Sequence, residues 1–216
     1  MNKNYEDLKA LIDYIQSVYH ETNVLWKVQN PPAIHLKKTL VSDIEIDPSG
    51  DIYPTIQEYV RFLNDRATFI LFELASFGEG NINARVKAPN SIEYKIQNYK
   101  SEQRSFGKIP INKCLNDLFG FRIFFDEPFS HSDIESFVEN TYGKNNSYKC
   151  IDSSKLDYKA THIYFREDNY TFPWELQIWC SSDIENNFAS HKKYKQEYTS
   201  WEKQNKETKE GGIIND

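Results

Sequence analysis

The sequence predicts an α+β fold: a mixed β-sheet flanked by helices, with a helical layer on its N-terminal side. Three observations lead there. The first 80 residues place apolar side chains mainly at helical spacing. From residue 83 onward, short strand-like runs are interleaved with helical ones. The strands do not alternate one-for-one with helices, which argues against a doubly wound parallel sheet.

In chain order, a first helix is expected over residues 5–19, where Leu8, Leu11, Ile12, Ile15 and Val18 follow the 3.6-residue period. Residues 20–55 are mixed and broken by Pro31-Pro32, Pro48-Ser49-Gly50 and Pro54. A long helix follows over 54–77. Pro54 suits its first turn, Ile56, Val60, Leu63, Ile70, Leu71 and Leu74 form its apolar face, and Gly78 and Gly80 stop it. Residues 83–87 read as extended. A helix then starts at Asn90, which can cap it, with Glu93 three residues on. The polar stretch 102–108 reads as a mobile loop. Residues 120–126 form a strong strand, and Ser132 with Glu135 supplies a capping box for a helix to about residue 139. Further strands are expected at 148–152, 161–166 and 174–179. A last helix runs over 182–201, with Ile184, Phe188, His191, Tyr194 and Tyr198 near one face. The chain thus divides into a helical region (1–80), a core (81–201) and a polar tail (202–216).

Composition removes several functional classes. The chain of 216 residues has a formal net charge of −6, so a wholly basic nucleic-acid binder is excluded. Aromatic residues make up 15% of it, too many for a disordered chain. No apolar run is long enough to cross a membrane, and the N-terminus lacks the apolar core of a signal peptide. Cys114, Cys150 and Cys180 are odd in number and widely spaced, which suggests neither a disulfide framework nor a zinc ribbon. A reduced, cytoplasmic protein is expected. The five histidines form no zinc-ligand spacing, and no phosphate-binding glycine loop or nucleophile elbow is present.

Four constellations can carry chemistry. In an extended 83–87 segment, Arg85 and Lys87 share a face. Ser91 lies in the first turn of the next helix and Lys95 one turn later. Helix N-termini attract anions, so these groups together form a plausible triphosphate cradle. The plainer alternative is a solvated basic strip. Second, Asp117 just before a strand can hold a metal, and Arg122 within that strand can clamp phosphate bidentately. A structural Asp–Arg pair is the alternative. Third, Glu175, Gln177 and Trp179 share one face of a strand whose other face is apolar; a buried carboxylate there needs a partner or a metal. A solvent-facing edge would explain the same pattern. Fourth, Tyr158 can stack on a base and His162 can bond to it or to phosphate, or both can serve a loop-to-strand junction. His191, among apolar helix positions, suits a core or supporting role.

Taken in order, these residues resemble the synthetase domain of the RelA/SpoT family. The similarity is carried by Arg85-Val86-Lys87, Ser91-Ile92, Lys95, Asp117 to Ile123, Tyr158 to His162, Glu175 to Ile178, and His191 with Tyr194-Lys195. The resemblance implies a nucleotidyltransferase-like sheet and a Mg²⁺-dependent pyrophosphokinase. Such an enzyme transfers the β,γ-pyrophosphate of ATP to the 3′-hydroxyl of GDP or GTP, making an alarmone. It implies that Arg85, Lys87, Ser91, Lys95 and Arg122 bind ATP, that Asp117 and Glu175 are catalytic and hold the metal, and that Tyr158, His162 and Gln177 meet the acceptor. Two departures concern the acceptor. Asp157 and Ala160 stand where the family has Gly and Ser, and Trp179 stands where it has Arg. Toxic relatives with a similar Glu-Leu-Gln-Ile-Trp run pyrophosphorylate the 3′ end of tRNA and have an antitoxin partner. That second reading would use Lys37-Lys38, Lys100, Arg104 and Lys192-Lys193 as a basic surface. A third reading is a non-catalytic nucleotide sensor. The missing His-Asp pair implies no hydrolase domain, and small family members imply a homo-oligomer.

Overall fold

The computed structural model describes residues 3–30, 34–47, 49–75, 82–144 and 147–192, with Ser105 by its backbone alone. Two long helices come first, α1 (Lys3–Gln29) and α2 (Ile52–Leu74). Then follow β1 (Ile82–Val86), α3 (Pro89–Lys100), the single turn α4 (Ile111–Cys114), β2 (Phe119–Phe125) and α5 (His131–Tyr142). The strands β3 (Tyr148–Asp152), β4 (Thr161–Phe165) and β5 (Trp174–Cys180) complete a five-stranded sheet. Its order is β1-β2-β5-β4-β3, parallel between β2 and β5 and antiparallel elsewhere, so the fold is α+β with a mixed sheet.

Strand alternation builds the core. Phe119, Phe121, Ile123 and Phe125 of β2 are buried on one face, beside Trp174, Leu176 and Ile178 of β5. Leu8, Leu11, Ile12, Ile15 and Tyr19 of α1 and Ile56, Tyr59, Val60 and Leu63 of α2 join the same core. Ring contacts tie the layers: Tyr19 and Phe119 both lie on Trp174, whose Nε1 donates to Tyr59 Oη at 3.0 Å.

Several expected boundaries move, each for a local reason. The first helix extends ten residues past Tyr19, because two polar residues that interrupt its apolar pattern find long-range partners inside. Asn23 Nδ2 donates to Glu167 at 3.1 Å, and Thr22 Oγ1 accepts from Arg66 at 3.1 Å. The next helix begins at Ile52 and ends at Leu74. The predicted stops at Gly78 and Gly80 lie outside the described residues. Ala88, not Asn90, is the N-cap of α3, and Pro89 takes its first turn. The capping box of α5 is formed by Ser130 and Asp133 rather than Ser132 and Glu135; Asp133 N donates to Ser130 Oγ at 3.2 Å and Ser130 N to Asp133 Oδ2 at 2.9 Å. The stretch read as a mobile loop is a 3-10 turn, Glu102–Gly107. It closes at Gly107 with φ +72, where a Cβ would sit 2.8 Å from Ser42 N. The final helix covers 184–192 among the described residues, after a 3-10 turn at Ser181–Asp183. Tyr194, Lys195 and the tail 202–216 lie outside them.

Candidate active site

The sheet register arrays polar side chains on the face opposite the core. Arg85 on β1 pairs with Gly120 on β2, Gly120 with Glu175 on β5, and Glu175 with Tyr164 on β4. One step along, Asn83, Arg122, Gln177, His162 and Ile151 form a second cross-strand row. These rows floor a cleft of about 770 Å³. Lys87, Lys95 and Asp117 line one end, and Tyr158, Phe188 and His191 the other. Among the described residues, a Cβ built on Gly120 would meet nothing within 4 Å, so this glycine leaves an open slot between Arg85 and Glu175.

The first half of the cleft is held by charge. Lys87 follows β1, and its backbone N–H donates to Leu118 O at 2.8 Å, fixing it beside the segment that carries Asp117. Lys87 Nζ lies 2.7 Å from Asp117 Oδ2, and Lys95 Nζ of α3 lies 3.0 Å from Asp117 Oδ1. Burial alone would raise the Asp117 pKa, but the Lys95 and Lys87 charges outweigh it and hold the carboxyl well below the usual range. Burial likewise opposes the Lys95 charge, and Asp117 more than restores it, so Lys95 stays protonated.

The second half is held by hydrogen bonds. Glu175 is 5% exposed and accepts at both oxygens. His162 Nδ1 lies 2.8 Å from Oε1, Tyr164 Oη donates to Oε1 at 2.9 Å, and Gln177 Nε2 donates to Oε2 at 2.7 Å. Burial pushes the Glu175 pKa up; the His162 bond and charge, with Gln177, bring it below the ordinary value, so it is ionised. A carboxylate has about four lone-pair sites. Among the described residues three are taken, and the fourth, on Oε2, meets none of them. The chain continues both ways. His162 Nε2 meets Tyr158 Oη at 2.9 Å, and Gln177 Oε1 accepts Arg122 Nε at 3.0 Å and Nη2 at 2.8 Å.

Arg122 also lies over an aromatic wall. Its Cζ is 3.6 Å from the Trp179 ring centre, and Trp179 is fully buried. The His191 ring stacks on Trp179 at 5.4 Å and 22°, and Tyr158 stands edge-on to both. Burial, then the Arg122 and Arg85 charges, push the His191 pKa down to about 4, so this ring is neutral at neutral pH. Burial pushes the Tyr158 hydroxyl up to about 12, so it remains a donor.

Residues 84–199 match the family described as "Region found in RelA / SpoT proteins", more than half of the chain. The chain belongs to the RelA/SpoT family. Among solved structures, the small alarmone synthetase 1 from Bacillus subtilis is similar at 16% identity and a TM-score of 0.40, over 67% of this chain and 80% of that one. The small alarmone synthetase 2 from Bacillus subtilis is similar at 17% identity and a TM-score of 0.40, over 68% and 82%. No curated protein matches the chain.

Of the residues that the RelA/SpoT resemblance singles out, Arg85, Lys87, Lys95, Asp117, Arg122, Tyr158, His162, Glu175 and Gln177 all line the one cleft. Ser91 is not among its lining residues; it lies half-buried in the first turn of α3. The solvent-facing alternative for Glu175 and Trp179 fails, since both are buried. His191 lines the cleft rather than the core. Sequence reasoning missed Tyr164, although it stands two residues from His162 on a strand and so shares its face. It also missed the service of Trp179 as a platform for Arg122. That needs the β2–β5 pairing, which no local pattern reveals.

The donor set suits one kind of metal ion. Asp117 and Glu175 are ionised oxygen donors in one cleft, and the Asp117 charge reaches Glu175. Among the described residues no cluster of three or more His, Cys, Asp or Glu side chains forms a cage. Mg²⁺ is bound in this way, by one or two carboxylates completed by substrate phosphates and water. These carboxylates, with no thiolate among the described lining residues, fit a hard cation such as Mg²⁺.

Proposed function

We propose that this protein is a Mg²⁺-dependent pyrophosphokinase that transfers the β,γ-pyrophosphate of ATP to the 3′-hydroxyl of GDP or GTP. The observation that carries this reading is the division of one cleft into a cationic half, with Arg85, Lys87, Lys95 and Arg122, and a hydrogen-bonded half around Glu175. In the reaction, the acceptor's 3′-oxygen attacks the β-phosphorus of ATP, the bond between the α,β-bridging oxygen and the β-phosphorus breaks, and AMP leaves. Lys87, Lys95 and the Arg122 fork hold the phosphates in line; transfers of this type depend on alignment and charge neutralisation. Arg122 is fixed for this by Trp179 on its face and Gln177 at its edge. A Mg²⁺ ion held by Asp117 with Glu175 nearby would neutralise phosphate charge. Glu175 Oε2 has one lone pair left, enough to take the acceptor's proton or touch the metal, not both. Tyr158 and His191 bound the acceptor half, with Phe188 49% exposed beside them.

The test offers purified protein, Mg²⁺ and γ-labelled ATP the acceptors GDP, GTP and deacylated tRNA in parallel. Label in a guanosine polyphosphate is expected. Label in tRNA would replace the acceptor and keep the mechanism, and no transfer to any acceptor would sink the reading. Asp117→Asn and Glu175→Gln, in preparations whose circular dichroism spectra match the wild type, should each lower transfer by about 10³-fold.

A further inference from the structure

The three donors that hold Glu175 are not equal. His162 and Gln177 each have a second duty toward the cleft. His162 Nε2 meets Tyr158 Oη at 2.9 Å, and Gln177 Oε1 accepts from Arg122 at 3.0 and 2.8 Å. All four of these residues line the cleft, where a ligand can draw them away. Tyr164 differs. It is 8% exposed and is not among the lining residues. Its hydroxyl donates to Glu175 Oε1 at 2.9 Å, and its one other hydrogen-bond contact among the described residues is His162 Nδ1 at 3.3 Å.

The strand pairing fixes this contact. Tyr164 on β4 stands directly opposite Glu175 on β5 in an antiparallel register, so the two side chains share a face. His162 reaches Glu175 only diagonally, from the position opposite Gln177. Tyr164 and His162 together fill Oε1, since a carboxylate oxygen has about two lone-pair sites.

We propose that Tyr164 is a positioning residue: it pins Oε1 of Glu175 so that Oε2 faces the acceptor's hydroxyl, whatever His162 and Gln177 do when substrates bind. This rests on the reading above in which Oε2 takes the acceptor's proton. Without the phenolic hydroxyl, Oε1 regains an open lone pair and the carboxylate can turn about its last bond. It is then aimed correctly for a smaller share of the time. Alignment of this kind acts on the rate of the bound complex rather than on its formation. Tyr164 lies outside the cleft lining, so binding itself is left alone.

The test is a kinetic cycle, run with whichever acceptor the wild type labels. Tyr164→Phe keeps the buried ring and removes the hydroxyl. In preparations whose circular dichroism spectra match the wild type, kcat should fall about tenfold. KM for ATP and for the acceptor should stay within about twofold of the wild type. The second arm adds Tyr164→Phe to Glu175→Gln. A residue that acts through the carboxylate has nothing left to position there, so the residual transfer of Glu175→Gln should not fall further. Tyr164→Leu, which also lacks the hydroxyl, takes both arms if Tyr164→Phe does not fold. An unchanged kcat, a rise in KM alone, or an equal loss in the two backgrounds overturns the inference and leaves the proposed function standing. A wild type that transfers to no acceptor overturns both.

Discussion

The two halves of the cleft are assembled by different forces. The donor half takes Lys87 from the end of β1, Lys95 from α3 and Asp117 from the turn before β2, and it is fastened by two lysine charges that share one carboxylate. The acceptor half comes from neighbouring strands and the last described helix. It is fastened by a hydrogen-bond chain from Tyr158 through His162 and Glu175 to Gln177, which ends on Arg122 of the cationic half, and by rings packed on Trp179. A site held by swappable ion pairs can reorganise when a charged ligand enters. One held by directional bonds and packed rings arrives shaped. The difference teaches where plasticity and rigidity lie, and each half should break in its own way.

The largest effect is expected at the rigid half. Trp179→Ala removes a fully buried ring that Arg122, Tyr158, Phe188 and His191 all touch. A loss of about 3–5 kcal/mol in unfolding free energy should follow, read from urea denaturation. A cost below about 1 kcal/mol would mean that the wall is not a packed unit. Arg122→Lys comes next. Lysine cannot lie flat on the indole while sending two N–H groups to Gln177 Oε1. Catalytic efficiency toward ATP should fall about 10- to 100-fold with the fold intact, and equal activity would show that point charge alone matters at this position.

How much of this was legible beforehand depends on the range of the interactions. The strands and most site residues could be read because alternation places Arg85 and Lys87, or Glu175 and Gln177, on one face by local geometry alone. The α1 extension was hidden because Thr22 and Asn23 look like helix-ending polar residues until Arg66 and Glu167, far off in sequence, meet them. The cap of α5 was misplaced by two residues because Ser130 and Ser132 are equally suited chemically, and only the chain's entry path decides. Tyr164 and Trp179 were hidden for a third reason. A tyrosine inside one apolar strand reads as core, and a tryptophan on the polar face of another fits a solvent-facing edge, until the sheet brings Glu175 and Arg122 beside them.

Gly120 tests the boundary between the halves. It lies between Arg85 and Glu175 in a cross-strand row, and no neighbour among the described residues would obstruct a methyl group there. Gly120→Ala should leave the fold as stable as before or slightly more so. It should weaken α,β-methylene ATP binding about tenfold by filling the slot. Unaltered affinity would mean that substrate does not cross the strand floor at this point.

The smallest effect separates the halves by pH. The His191 pKa falls from 6.5 to about 4 on folding, through burial and then the Arg122, Arg85 and His162 charges, with Glu175 opposing. A base with a depressed native pKa binds fewer protons folded than unfolded. Its contribution is therefore whole above pH 6.5 and is lost as pH falls toward 4. The shifted carboxylates Asp117 and Glu175 are also depressed, but from 3.8 and 4.5, so their losses come at lower pH. Between pH 6.5 and 4.5 the acceptor half should weaken while the donor ion pairs hold. The wild type should lose on the order of 1 kcal/mol of unfolding free energy across that window, after allowance for solvent at the open side of the ring. His191→Phe keeps a ring on Trp179 and removes the titration, so its stability should stay flat there. An equal loss in the variant would place the acid sensitivity elsewhere and erase the pH distinction between the two halves.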